Sequence, residues 1–159
     1  MMNATETTTH FSTFVVTKGS KLGKDAPSAK GFSWLVRQLV AGKDISSQCE
    51  VTHEGRCGKC GAKLTVGEST ARGFGPKCAK DVIAMGYEVK AVFNPKAFIL
   101  CEKSDVKRAT YITVTSKATG KHFTYKIKMA KDKGCLFVSV LTGPNNTSDY
   151  SYLGCIFKN

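Results

Sequence analysis

Residues 53–78 read HEGRCGKCGAKLTVGESTARGFGPKC, and the spacing His53-x3-Cys57-x2-Cys60-x17-Cys78 constrains the fold more than any other feature of the chain. Two residues between Cys57 and Cys60 let the backbone turn in a tight knuckle. Both sulfurs can then face one ion at about 2.3 Å, the usual zinc–thiolate distance. Gly58 and Gly61 suit such a knuckle, which turns amide N–H groups toward the thiolates and often needs positive φ. Cys78 follows Gly73, Gly75 and Pro76, a loop leading into a helix. Proline fits the first helical position, where its missing N–H costs nothing. Cys78 then falls in the first turn, where the helix dipole and free N–H groups favour a thiolate. The module expected is knuckle, short hairpin and helix, like a treble clef or zinc ribbon, holding Zn2+.

Three ligands follow directly from the spacing; the fourth has several candidates. His53, three residues before the knuckle, is close enough to fold back onto the ion and is the first choice. Asp81 lies on the same helix face as Cys78, one turn on. Cys49 needs a longer excursion, and a water ligand would leave an open site suited to catalysis. Small buried cysteines with no metal role are the bland alternative, which the glycine-punctuated spacing disfavours.

The run CGKCGAKLTVGESTARGFGPKCA resembles a short cysteine domain of unknown function common in phage and actinobacterial proteins. Its pattern, Cys-x2-Cys-Gly-Arg-x-Leu-Thr, then Ser, then Gly-x-Gly-Pro-x-Cys, is matched at Cys57, Cys60, Gly61, Leu64, Thr65, Ser69, Gly73, Gly75, Pro76 and Cys78. Ala62 stands where the pattern has arginine. The resemblance spans roughly residues 53–80 and implies a zinc-binding module and a phage setting, with no activity attached.

Composition adds limits. A chain of 159 residues makes one or two small domains with a modest core. No apolar run approaches the roughly 20 residues of a membrane span. The N-terminus lacks the basic start and apolar core of a secretory signal. Seven cysteines, an odd number with a single knuckle, suit reduced thiols in a cytoplasmic setting better than a disulfide framework. Cys101, Cys135 and Cys155 lie in apolar, strand-like surroundings and are expected to be structural. The net charge is +12, and residues 96–133 hold ten basic groups against three acids. Such a concentrated field is the footprint of a polyanion partner, although lysines also keep sheet edges soluble.

Along the chain, residues 1–27 read as a flexible arm, with Phe14-Val15-Val16 as a short strand or extended piece. Residues 28–52 hold an amphipathic helix and a linker. Ser28 is its expected cap, Gly42 its stop, and Phe32, Leu35, Val36 and Leu39 its apolar face. Trp34 beside that face is expected in the core. The zinc module takes 53–90, and 91–159 form a basic antiparallel β domain. Its expected strands are Ala97–Cys101, Thr110–Ser116, His122–Met129, Cys135–Leu141 and Tyr150–Phe157, separated by turn signals. In His122–Met129 the residues Phe123, Tyr125, Ile127 and Met129 face one way, and His122, Thr124, Lys126 and Lys128 the other. The fold class is α+β: an N-terminal helix, a zinc-ribbon or treble-clef-like module, and a small C-terminal antiparallel sheet or partial barrel.

Catalysis has little to work with: three histidines, few acids, and no zinc-deaminase signature. A zinc with three thiolates is expected to be structural. Gly73 to Lys77 lacks the ending of a P-loop, so its glycines fit the backbone around the metal. The expectation is a nucleic-acid-binding accessory protein. Arg72, Phe74 and Lys77 would contact nucleic acid from the module, and Lys117, Lys121, Lys126 and Lys128 from the sheet; Phe74 suits equally an exposed ring that stacks on a base and a cap on the module's small core. Lysine far outnumbers arginine, which favours phosphate contact over base reading. The alternatives are a module that captures an acidic face of a host protein, and a sheet that sequesters small nucleotides. Nothing points to a membrane.

Overall fold

Pro27 opens the first helix, α1 (Pro27–Val40), after Ala26 as N-cap, and no side chain caps it. Ser28, expected as the cap, lies instead inside the first turn, where it is buried. Its carbonyl accepts a 2.8 Å hydrogen bond from Tyr125 Oη on the sheet. The apolar stripe at i, i+3, i+4 and i+7 does what its period predicts: Phe32, Leu35, Val36 and Leu39 are all buried. Full burial of side chains of this size stabilises by about 1.5–3 kcal/mol each. Phe32 meets Tyr125 at 4.6 Å and Phe14 at 4.9 Å between ring centroids. Trp34 is half-buried and packs against the margin of this core. Chain reversal after Ala41 uses Gly42 at φ 75°.

The structure is a computed structural model that describes residues 11–100, 109–129, 134–143 and 149–158. Six strands, β1 (Phe11–Val15), β2 (Cys49–His53), β3 (Thr110–Ser116), β4 (His122–Met129), β5 (Cys135–Leu141) and β6 (Tyr150–Lys158), form one antiparallel sheet. Their order is β1-β6-β5-β4-β3-β2, and the sheet curls into a half-barrel. Both outer strands come from segments expected to be arm and linker. In β2, Cys49, Val51 and His53 alternate with exposed Glu50 and Thr52, a period of two. In β4 the expected alternation holds: Tyr125 and Ile127 are buried, while His122 and Lys128 are exposed.

One expected strand is a helix. The apolar run Ala97–Cys101 suggests an extended segment, but α4 spans Pro95–Leu100, and Cys101 lies outside the described residues. The Asn94 side chain accepts from Ala97 N–H at 3.2 Å, and Pro95 follows it, a helix start in sequence and geometry alike. Ala97, Phe98 and Ile99 are fully buried. One core cluster joins α1, the sheet, Phe98, and the cysteine segment through Cys57, Phe74, Ala79 and Val82. Among the described residues no helix is long and apolar enough to cross a membrane.

Candidate metal centre

Beyond β2 the chain makes a narrow hairpin. Arg56 and Lys63 form an antiparallel bridge, and Leu64 N–H donates to the Gly55 carbonyl at 2.6 Å. Inside it, Cys57 N–H donates to the Ala62 carbonyl at 2.8 Å and Gly61 N–H to the Cys57 carbonyl at 2.9 Å. Gly61 takes φ 76°, as the knuckle requires. Gly58 is needed for a different reason. A β-carbon there would sit 2.5 Å from Phe98 Cδ2, and the Gly58 N–H donates to the Gly73 carbonyl at 2.8 Å. The segment after the hairpin is not extended but a short helix, α2 (Gly67–Arg72), closed by Gly73 at φ 84°. Then α3 (Pro76–Ala84) begins at its proline, with Cys78 in the first turn as expected.

These elements bring Cys57, Cys60 and Cys78 together, with their sulfurs all within 4.8 Å of one another. Burial pushes the Cys57 thiol up, but N–H groups of Cys60, Gly75 and Lys59 point at its sulfur and bring it below its ordinary value. The Lys59 N–H lies 3.4 Å from that sulfur. Burial, then the neighbouring Cys57 sulfur and the Cys60 side chain, push Cys78 up to about 12. Three thiols this close cannot all ionise unaided, because each new thiolate meets the charge of the last. A divalent cation relieves that repulsion, so the donor set suits a thiophilic metal.

The fourth ligand chosen from the sequence does not join them. His53 Nδ1 accepts from Gly55 N–H at 3.1 Å, and Nε2 faces the Thr70 carbonyl. Its ring stacks on Phe93 at 4.8 Å. Both nitrogens thus face backbone partners, and His53 braces β2 against α2. Asp81 is half exposed and ion-paired with Lys59 at 3.5 Å. Cys49 is buried in the core through β2.

The expected nucleic-acid contacts divide. Arg72 is taken up inside the module: Nε donates to the Phe74 carbonyl at 2.8 Å, Nη2 to Ser69 Oγ at 3.1 Å, and Nη1 pairs with Glu68 at 3.4 Å. Phe74 is fully buried and packs toward Phe98, which corrects the idea of a ring exposed for base stacking. Lys77 is exposed on α3, Lys117 and Lys121 are exposed around the β3–β4 turn, and β4 presents Lys128 and half-buried Lys126. Phe93 and Phe98, the aromatic floor under the knuckle, are not among the residues that the sequence singles out; the Asn94-Pro95 cap is the signal that could have found them.

Fold and site together define an α+β protein in which a three-cysteine cluster able to hold a metal ion is seated at the end of a curled antiparallel sheet. Residues 50–83 match the model of a family of unknown function, DUF6011. The match takes in the knuckle and α2 and nearly all of β2 and α3, in accord with the resemblance carried by the cysteine pattern. No curated protein and no solved structure matches the chain.

Proposed function

We propose that this is a zinc-containing nucleic-acid-binding accessory protein that holds the phosphate backbone with little sequence specificity. Cys57, Cys60 and Cys78 would hold the zinc in a treble-clef-like module, with the fourth position going to water or to Asp81 released from Lys59. The ion would serve as a structural clamp, since three thiolates fill most of a tetrahedral site. The observation that carries the reading is the lysine row on β4, Lys126 and Lys128, on the sheet face turned away from α1 in a chain of net charge +12. Lysine ammonium groups are point charges suited to phosphates. The test is a fluorescence titration with oligonucleotides beside elemental analysis of the purified protein. Affinity should fall steeply between about 50 and 200 mM salt, as counterion release dictates. Binding that is indifferent to salt would refute phosphate contact, and zinc-free folded protein would refute the clamp.

A further inference from the structure

The sheet face that carries the lysines also carries aromatic rings, and the two kinds of side chain are registered neighbours. Tyr111 on β3 lies opposite Lys126 on β4, and Lys128 lies opposite Phe137 on β5. Tyr111 and Tyr150 come from strands that are not adjacent, yet their rings meet across β4 and β5 with centroids 5.4 Å apart, tilted by 56°. Phe137 and Tyr152 form a second pair, edge to face at 5.8 Å. Phe137 keeps 36% of its surface in solvent. On this face Tyr152 packs against buried Cys135 and Cys155, whereas half-buried Tyr111 and Tyr150 and the part-exposed Phe137 lie away from the main core on the other side and call for an explanation.

Beside the tyrosine pair the cysteine hairpin and the sheet together line an open cleft of about 680 Å³. Arg56 and Lys63 line one part of it, Tyr111 and Tyr150 another, and Thr113 with Thr124 the floor, their hydroxyls 2.9 Å apart. Glu54 also lines it. This volume is in the range of ligand pockets that enclose small organic molecules. Flat aromatic faces, two cations and a set of hydroxyls match the parts of a nucleotide: base, phosphate and sugar. The face of a base is available only when the strand is unpaired, because in a duplex both faces are already stacked.

From this juxtaposition we infer that the hairpin–sheet cleft and the aromatic face beside it bind single-stranded nucleic acid. Bases stack on Tyr111, Tyr150 and Phe137, and phosphates are held by Arg56, Lys63, Lys126 and Lys128. Glu54 can accept from an exocyclic amine at the cleft. The inference rests on the nucleic-acid reading above and narrows its substrate class.

The experiment is a set of titrations of the full chain with fluorescent oligo-dT, oligo-U and a duplex of equal length, at one salt concentration. Single strands should bind at least about tenfold more tightly than the duplex. Stacking on one ring is worth about 1–3 kcal/mol per base, so Tyr111→Leu and Phe137→Leu should each weaken single-strand binding by about 5- to 150-fold and leave duplex binding unchanged. Photo-crosslinking of bromouridine-substituted RNA to the unaltered protein should label Tyr111 or Tyr150, which tests the site even if a variant misfolds. Equal affinity for single strand and duplex, or crosslinks confined to α3 and the β3–β4 turn, would overturn the inference while leaving the broader reading intact. Absence of binding to all three probes would overturn both and turn the aromatic face toward a protein partner. Oligo-dT against oligo-U separates DNA from RNA.

Discussion

Gly58 leaves the space that Phe98 fills. A β-carbon at position 58 would stand 2.5 Å from Phe98 Cδ2 and 3.0 Å from Phe74 Cε1. The first turn of the cysteine knuckle is thereby locked to α4, a helix that lies well beyond α3 in the chain. The cysteine segment is therefore not a bead on a string. Its inner surface is part of the same core that α1 and the sheet share.

Gly58→Ala should destabilise the protein by about 1–3 kcal/mol, the usual cost of forcing an added methyl into a filled site. Gly67→Ala is the matched control. A β-carbon added at position 67 would meet nothing within 4 Å, and the residue starts α2. Its effect should therefore stay within about 0.5 kcal/mol. Urea denaturation of the two variants beside the parent checks the difference.

Cys60→Ser removes one of the three sulfurs and should abolish stoichiometric metal. The resulting loss should expose residues 53–86 to protease, since structural zinc contributes about 10 kcal/mol or more to small domains that depend on it. His53→Ala, by contrast, should keep its metal, because both ring nitrogens face backbone groups and not the sulfurs. It should lose about 1–3 kcal/mol through the orphaned Thr70 carbonyl and Gly55 N–H. Elemental analysis separates the two outcomes; metal loss in His53→Ala would return the histidine to the ligand set.

His53 also predicts a pH dependence. Burial holds its pKa below the ordinary value, outweighing the opposing effect of the Thr70 carbonyl. The unfolded chain, with an ordinary histidine near 6.5, therefore takes up the proton first. Stability from this group is complete above about pH 6.5 and declines as the pH falls from there through the lower folded value. Replacing His53 with Phe should flatten that part of the stability–pH curve. Urea midpoints measured from about pH 7.5 down to 5 would show it, and an unchanged slope would refute the assignment.

Lys126→Glu with Lys128→Glu should spare the fold, because these side chains lie on the face away from α1 while the buried neighbours Tyr125 and Ile127 are untouched. Affinity for oligonucleotides should drop. The slope of log K against log salt should become shallower by about two, one for each phosphate that no longer has a lysine beside it. Normal binding by a variant with an unchanged melting temperature would remove β4 from the interface.

Tyr125→Phe should cost about 0.5–1.5 kcal/mol or somewhat more. It deletes one hydrogen bond and leaves the buried Ser28 carbonyl, at the head of α1, without its partner. Thermal melting provides the measurement.

Where structure is set by near neighbours, the chain can be read directly. The bounds of β3, β4 and β5 follow from alternation and turn residues, and α1 from its stripe. The knuckle and the helix carrying Cys78 follow from glycines, a proline and cysteine spacing. Where the outcome depends on a distant partner, the residues alone do not decide. Residues 97–100 are apolar in every register, so their period does not separate strand from helix; Asn94-Pro95 marks the helix locally, while the seating of Phe98 against Gly58 comes from packing. Phe74 suits solvent and core equally by its neighbours in sequence, and Phe98 decides it.

By itself, then, the sequence determined the three-cysteine cluster, the alternating strands and the lysine row of β4, because each depends on spacing within a few bonds or one turn of chain. Tertiary structure alone decided that β1 and β2 would complete the sheet. It also turned His53 toward Gly55 and Thr70, folded Arg72 inward, and drew Tyr111 and Tyr150 together across two strands. Those outcomes depend on which surfaces meet when remote segments pack, and packing is set by shape and burial over the whole core.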